Sequence, residues 1–209
     1  MTKLSLVPGF LAGALCASIL IPAFSAPPSS IEQDPEEGGA DLAAMMERAK
    51  QYTEPGEHHR LLERFLGQWD TETRIFMGAQ ALAPSKGTSE FSWLMDGRWL
   101  QQRGSGSMMG RPLETFWIMG YDNFKMSYVA TSVHTMDTSM IRSEGDLDPG
   151  GDVLIMYGTL DEYLTGEHDK MVKSVYRFLS EDEIVMELHD LPIGEKNTKV
   201  VEVRFKRSR

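Results

Sequence analysis

The strongest constraint on this chain is a change of hydrophobic period at Trp69. Just before it, residues 57–65 place Leu61, Leu62 and Phe65 on one side and Arg60, Glu63 and Arg64 on the other, the pattern of a short amphipathic helix. From Trp69 onward the period is two. Trp69, Thr71, Thr73, Ile75 and Met77 share one face, and Asp70, Glu72 and Arg74 share the other. Successive side chains of a strand point to opposite faces, so this segment predicts a half-buried strand. Comparable segments follow at 86–95, 98–107, 113–121, 125–132, 135–144, 153–160, 170–179, 184–189 and 199–207. Turn signals separate them, among them Asp96-Gly97, Asp122-Asn123 and Asp148-Pro149-Gly150-Gly151.

About ten short strands with no helical pattern between them predict an antiparallel meander. Val172, Ser174, Tyr176 and Phe178 share a parity, as do Val201, Val203 and Phe205; Lys173, Arg177, Glu202, Arg204 and Lys206 take the opposite one. One wet face and one mixed apolar face suit an all-β fold with short N-terminal helices, an about ten-stranded antiparallel up-and-down barrel that closes on itself and leaves no unpaired edge. A two-sheet sandwich is the alternative, but no long crossover connection is visible.

The region ahead of the barrel divides into three. Residues 1–25 resemble an export signal: Lys3 is followed by an uncharged apolar run over 4–24, and Ala23-Phe24-Ser25 sets small residues for cleavage before Ala26. A retained membrane anchor is the rival reading of that run, which Pro8-Gly9 and Pro22 interrupt. Either way the protein is expected to be exported, to the periplasm or beyond. Residues 26–40 are Pro-, Ser- and acid-rich and read as a disordered linker. Residues 41–56 hold a helix with Leu42, Met45, Met46 and Ala49 on one stripe, ended by Pro55-Gly56. The barrel domain with its lid helix then spans 57–209. A net charge of −10 argues against a nucleic-acid partner, whose phosphates demand a cationic surface. The only cysteine, Cys16, lies in the leader, so no disulfide framework or thiolate metal site is expected.

Candidate chemistry is sparse. His58 and His59 sit at a helix start and read as solvated, and His168 falls in a turn. His134 and His189 lie in or beside strands and are the candidates for a cavity histidine. Either could serve a cavity enzyme, or be the axial ligand should the interior hold haem; no other feature asks for a cofactor. No serine stands in a Gly-x-Ser-x-Gly elbow, and the paired carboxylates fall in turns. No catalytic or metal-binding set is assigned. More telling is the load of 14 methionines together with aromatic residues in the strands. Trp93, Trp117, Tyr121, Tyr128, Met140, Tyr157 and Tyr176, with His134 and His189, are the expected lining of a pocket for a small apolar or amphipathic molecule. The same residues could instead fill the interior completely. The segment 113–121 is apolar on both parities, which a homodimer contact or the 41–51 helix would explain.

Four blocks give a resemblance: HRLLERFLGQWD (59–70), MDGRWLQQ (95–102), MMGRP (108–112) and GYDNFKMSYVATSVHTM (120–136). With Gly67-Gln68-Trp69 opening the first strand, they resemble the bacterial family called domain of unknown function 1579, grouped with the calycin, or lipocalin-like, barrels. The resemblance covers residues 57–207 and implies that fold without an established activity. It also implies that Trp69, two residues after Gly67, plugs the barrel base beneath an arginine of the last strand. Arg207, on the inward parity of Val201, Val203 and Phe205, is favoured over outward Arg204, in a structural role.

Overall fold

A computed structural model describes residues 35–78, 80–192 and 198–209. The expected leader and the linker up to residue 34 lie outside the described residues. Helix α1 spans Pro35–Thr53, followed by α2, Glu57–Arg60, and a 3-10 turn, Leu61–Phe65. The helix α1 starts before residue 41, within the stretch expected to be linker. A proline is well tolerated at a first helical position, where the missing N–H has no partner to lose. Leu42, Met45 and Met46 of its apolar stripe remain exposed, so the stripe does not cover the barrel wall.

The strands are β1 (Gly67–Met77), β2 (Gln80–Ala81), β3 (Ser85–Leu94), β4 (Trp99–Met108), β5 (Arg111–Asp122), β6 (Ser127–His134), β7 (Ile141–Leu147), β8 (Val153–Glu162), β9 (Glu167–Ser180), β10 (Glu183–Asp190) and β11 (Thr198–Arg207). From β3 to β11 each pairs antiparallel with its chain neighbour, β1 pairs with β3, and the two-residue β2 folds back on the end of β1. β11 then returns to β1, from Trp69↔Arg207 to Ile75↔Val201. The barrel is closed by ten strands, with no sandwich crossover.

Residues 135–140, expected to begin a strand, form a loop instead. Asp137 Oδ1 accepts both the backbone N–H and the hydroxyl of Ser139 at 2.8 Å, and His134 Nδ1 accepts the Met136 N–H at 3.3 Å. Such local side-chain bonds give the backbone an alternative to a ladder.

The register fixes which side chains face in. Trp69, Thr71, Thr73 and Ile75 stand opposite Arg207, Phe205, Val203 and Val201, so the inward parity of the last strand is as expected. Following the same rows round the barrel brings Phe91, Leu100, Met119, Tyr128, Met156, Tyr176 and Ile184 inward. Opposite parities hold charges, and Arg103 lies 4.9 Å over the outward Phe116 ring, covering part of the doubly apolar β5.

The helical turn seals one end. Trp69 is fully buried, its indole N–H donates to the Phe65 carbonyl at 2.6 Å, and the Arg207 guanidinium lies 4.3 Å over its ring. Arg207 also donates to the Leu66 carbonyl at 2.6 Å and to the Glu181 carbonyl at 2.7 Å. Gly67 is required here twice over: its φ is +106°, and a Cβ would lie 3.0 Å from Arg207 Nη1. Replacing Arg207 with alanine forfeits a cation–π contact and leaves carbonyls unpaired, so Arg207→Ala should lower stability by about 2–3 kcal/mol in urea unfolding, and Arg207→Lys should restore only part of it.

Candidate functional site

Solvent reaches an inward side chain of a closed barrel only through an end, so the exposure of inward residues maps the interior. Near the lid most of the large ones are dry: Trp69, Leu100, Met119 and Leu154 are 0% exposed, as is Leu62 of the lid, and only Trp93 and Tyr121 keep a partial exposure. Phe65 enters from the lid and its ring lies 5.4 Å from Phe91, 5.8 Å from Trp117, 5.7 Å from Tyr176 and 5.1 Å from Phe178. Beyond this layer the same strands change character. Thr73, Ile75, Thr115, Ser132, Ser143, Ser174, Leu188, Val201 and Val203 face inward yet remain partly exposed. Many inward positions here are small, including Ser85, Gly87, Gly104, Gly106 and Gly158. The bulky residues fill the lid end and leave the opposite half hollow.

Trp117 and Tyr176 form the floor of this hollow, from β5 and β9, with ring centroids 6.3 Å apart above Phe65. Burial pushes the Tyr176 phenol up to about 12, and the neighbouring Trp117 indole offsets part of that. On the β3–β5 wall, Gln102 Nε2 donates to Ser89 Oγ at 2.8 Å and to Thr115 Oγ1 at 3.0 Å. Gly104 makes room for this amide, since a Cβ there would come within 2.4 Å of both Gln102 Nε2 and Thr115 Oγ1. At the rim, inward Lys170 pairs with Asp190 at 2.7 Å and with Glu167 at 3.7 Å. Burial pulls the Lys170 ammonium down, but its bond to Asp190 prevails and raises it.

The expected pocket residues separate into three groups. Trp117 and Tyr176 meet at the floor, and His134 stands at the rim. Trp93, Tyr121 and Tyr128 face inward but belong to the sealed end: Trp93 packs on the core, the Tyr121 ring stacks 4.2 Å from His58, and the Tyr128 hydroxyl donates to the His58 carbonyl at 3.0 Å. Met140, Tyr157 and His189 do not reach the interior. Met140 is 53% exposed in the β6–β7 loop and Tyr157 is 49% exposed on the outer wall. β8 turns Leu154 and Met156 inward in place of Tyr157. His189 pairs with Lys173 and Lys199 on the outward parity of β10, beside Glu187 at 3.6 Å. As for a haem ligand, His189 points away from the interior, and His134 accepts the Met136 N–H at Nδ1 with Nε2 lying 3.7 Å from Asp137.

Sequence reasoning overlooked Gln102, Ser89, Thr115, Lys170 and Asp190. Lys170 was legible in principle, because it shares the parity of Val172, Ser174 and Tyr176. Outside, Lys199 bridges Glu187 at 3.1 Å and the buried Glu202. Lys199 holds Glu202 below the usual carboxylate range; for Glu187, burial pushes upward but the same lysine outweighs it. A separate outer depression of about 420 Å³ lies over β4–β8, between Trp99, Ile118, Val129 and Tyr157. Among the described residues no group of three His, Cys, Asp or Glu is placed to hold a metal ion. Among them, too, no helix is long and apolar enough to cross a membrane.

Comparison with known proteins agrees with this geometry. The chain matches the family described as protein of unknown function (DUF1579) over residues 54–207, and it belongs to that family. No curated protein matches the sequence. Among solved structures it is similar to Rv2717c from M. tuberculosis, with a TM-score of 0.53 and 14% identity over 75% of this chain and 100% of that one. It is also similar to the S-type phycobiliprotein lyase CPES from Guillardia theta, with a TM-score of 0.50 and 7% identity over 74% of this chain and 94% of that one. At these identities the likeness is one of fold, a calycin-like barrel.

The lid carries a pH-sensitive joint. The imidazole of His59 is buried and its Nδ1 accepts the Gly56 N–H at 3.0 Å. Burial first, then the charges of His58 and Arg98, lower its pKa from 6.5. The unfolded chain therefore takes up this proton before the folded one does. The stabilisation is complete above the unfolded value and is lost as pH falls below it toward the lower folded pKa. The urea midpoint should fall between about pH 7 and pH 5 and stay flat there in His59→Asn; the Glu187 and Glu202 contributions are lost only at lower pH.

Proposed function

We propose that this protein is an exported barrel that binds a small apolar or amphipathic molecule in the open half of its interior. One observation carries the reading: most inward residues beyond the Phe65 layer, Val172 excepted, remain reachable by solvent although the wall around them is closed. A barrel built only as a scaffold gains from filling that space, because unfilled apolar surface forfeits packing. The mixture of Ile75, Leu188, Val201 and Val203 with hydroxyls from Thr73, Thr115, Ser132 and Ser174 fits a pocket that is mainly apolar with a few polar handles. Export is supported by Lys3, the apolar run over 4–24 and the small residues before Ala26.

Filling the hollow tests the site. Ser132→Phe and Ser174→Phe place rings inside it and should weaken binding of an apolar dye at least tenfold, read by quenching of tryptophan emission, with the wild-type fold kept. Thr159→Phe, on the outward parity of β8, should bind as wild type. Equal binding by all four proteins would place the dye elsewhere. Native mass spectrometry of protein taken from its cell envelope should give a polypeptide beginning at Ala26 with a small molecule attached.

A further inference from the structure

We infer that the cavity selects neutral ligands whose buried end carries a hydrogen-bond acceptor, and that the Tyr176 hydroxyl is the donor meeting it. This rests on the interior binding proposed above and adds the chemical class of the ligand.

The first support is an inventory of charge. Among the described strand residues, the inward positions between the Phe65 layer and the rim are hydroxyl, amide, glycine, aliphatic or aromatic. Inward charges occur only at the rim, where Arg111 is exposed and Lys170 and Asp190 neutralise each other at 2.7 Å. Arg207 lies at the far end, spent on Trp69, Leu66 and Glu181. A carboxylate or ammonium drawn to the floor would lose its hydration and find no counter-ion, the costliest arrangement for a charge. A carboxylate at the rim would meet Lys170 only in competition with Asp190 and Glu167, and Arg111 only in open solvent, where an ion pair gains little.

The second is a count of hydrogen-bonding groups at depth. The Gln102 amide is satisfied within its own wall: Nε2 donates to Ser89 and Thr115, and Oε1 accepts from Thr115 at 3.3 Å. The Trp117 ring stands beside Tyr176, with centroids 6.3 Å apart, and an indole N–H can only donate, so it supplies no acceptor. That leaves the Tyr176 hydroxyl proton, which has no acceptor among the hydrogen bonds of the described residues, at the floor of the hollow. A half-buried donor at the inner end of a pocket gains when a ligand supplies its acceptor. An ester, ketone, ether or alcohol oxygen meets both conditions at once.

Three probes of equal chain length separate the possibilities at pH 8: methyl decanoate, decanoate and decyltrimethylammonium, titrated into the full mature protein by tryptophan quenching. The ester should bind at least tenfold tighter than either ion. Tyr176→Phe should weaken the ester about tenfold while leaving the ions unchanged. Either ion binding as tightly as the ester overturns the inference, as does a Tyr176→Phe protein that binds the ester like wild type; in both cases interior binding itself stands. Silence from all three probes overturns interior binding and the inference with it. If Tyr176→Phe fails to fold, infrared spectra of the wild-type complex decide. A hydrogen-bonded ester carbonyl moves to lower frequency, and an unmoved band overturns the assignment.

Discussion

The guanidinium of Arg207 over the indole of Trp69 is the contact on which this molecule depends. It joins the first and last strands at the point where they pair, and it ties both to the lid through the Leu66 carbonyl. Cation–π contacts are modest singly. This one matters because of its position: it holds the seam where the sheet becomes a barrel. With the seam closed the sheet has no free edge, and inside and outside become different solvents for the same alternating sequence. Gly67 is the local cost of the arrangement, a left-handed residue with a guanidinium where its side chain would be.

From the seam outward the two ends diverge. The lid end is packed as a core, with Phe65 at the centre of an aromatic cluster and His58 fastening the helix to Tyr121 and Tyr128. The far end spends small residues on the inner wall and keeps its charges at the rim. A lid that moved would expose dry aromatic core, whereas the far mouth is already wet. Access to the hollow is therefore assigned to the mouth ringed by the β4–β5, β6–β7 and β8–β9 connections.

Much of the fold was legible because charge and period coincide along several strands. In residues 69–77, 170–179 and 199–207 the polar parity is unmistakable, so the inward face followed directly, Arg207 included. The hollow was harder. β8 reads Val153, Leu154, Ile155, Met156, Tyr157, apolar on both parities, and β10 sets Ile184 beside Val185, both buried on opposite sides of the wall. Where both parities are apolar, only the partner strands show which is inside, and Tyr157 and His189 fall on the outer one. The loop at 135–140 escaped for another reason. Its residues suit a strand, and the bonds from Asp137 and His134 that divert it are contacts of side chain with backbone, which period does not report.

The contact that closes the barrel joins Arg207 to Leu66 across 141 residues of chain. A protein is made from its N-terminus, so β1 is complete long before its partner exists. Until β11 emerges, β1 offers an unpaired edge, and the aromatic residues around Phe65 have only part of their enclosure. Strand pairings of such long range are slow to form, because loop-closure entropy is lost before the contacts return it. The last ten residues of the fold thus set the moment at which this chain stops being a sheet that can recruit other strands and becomes a vessel.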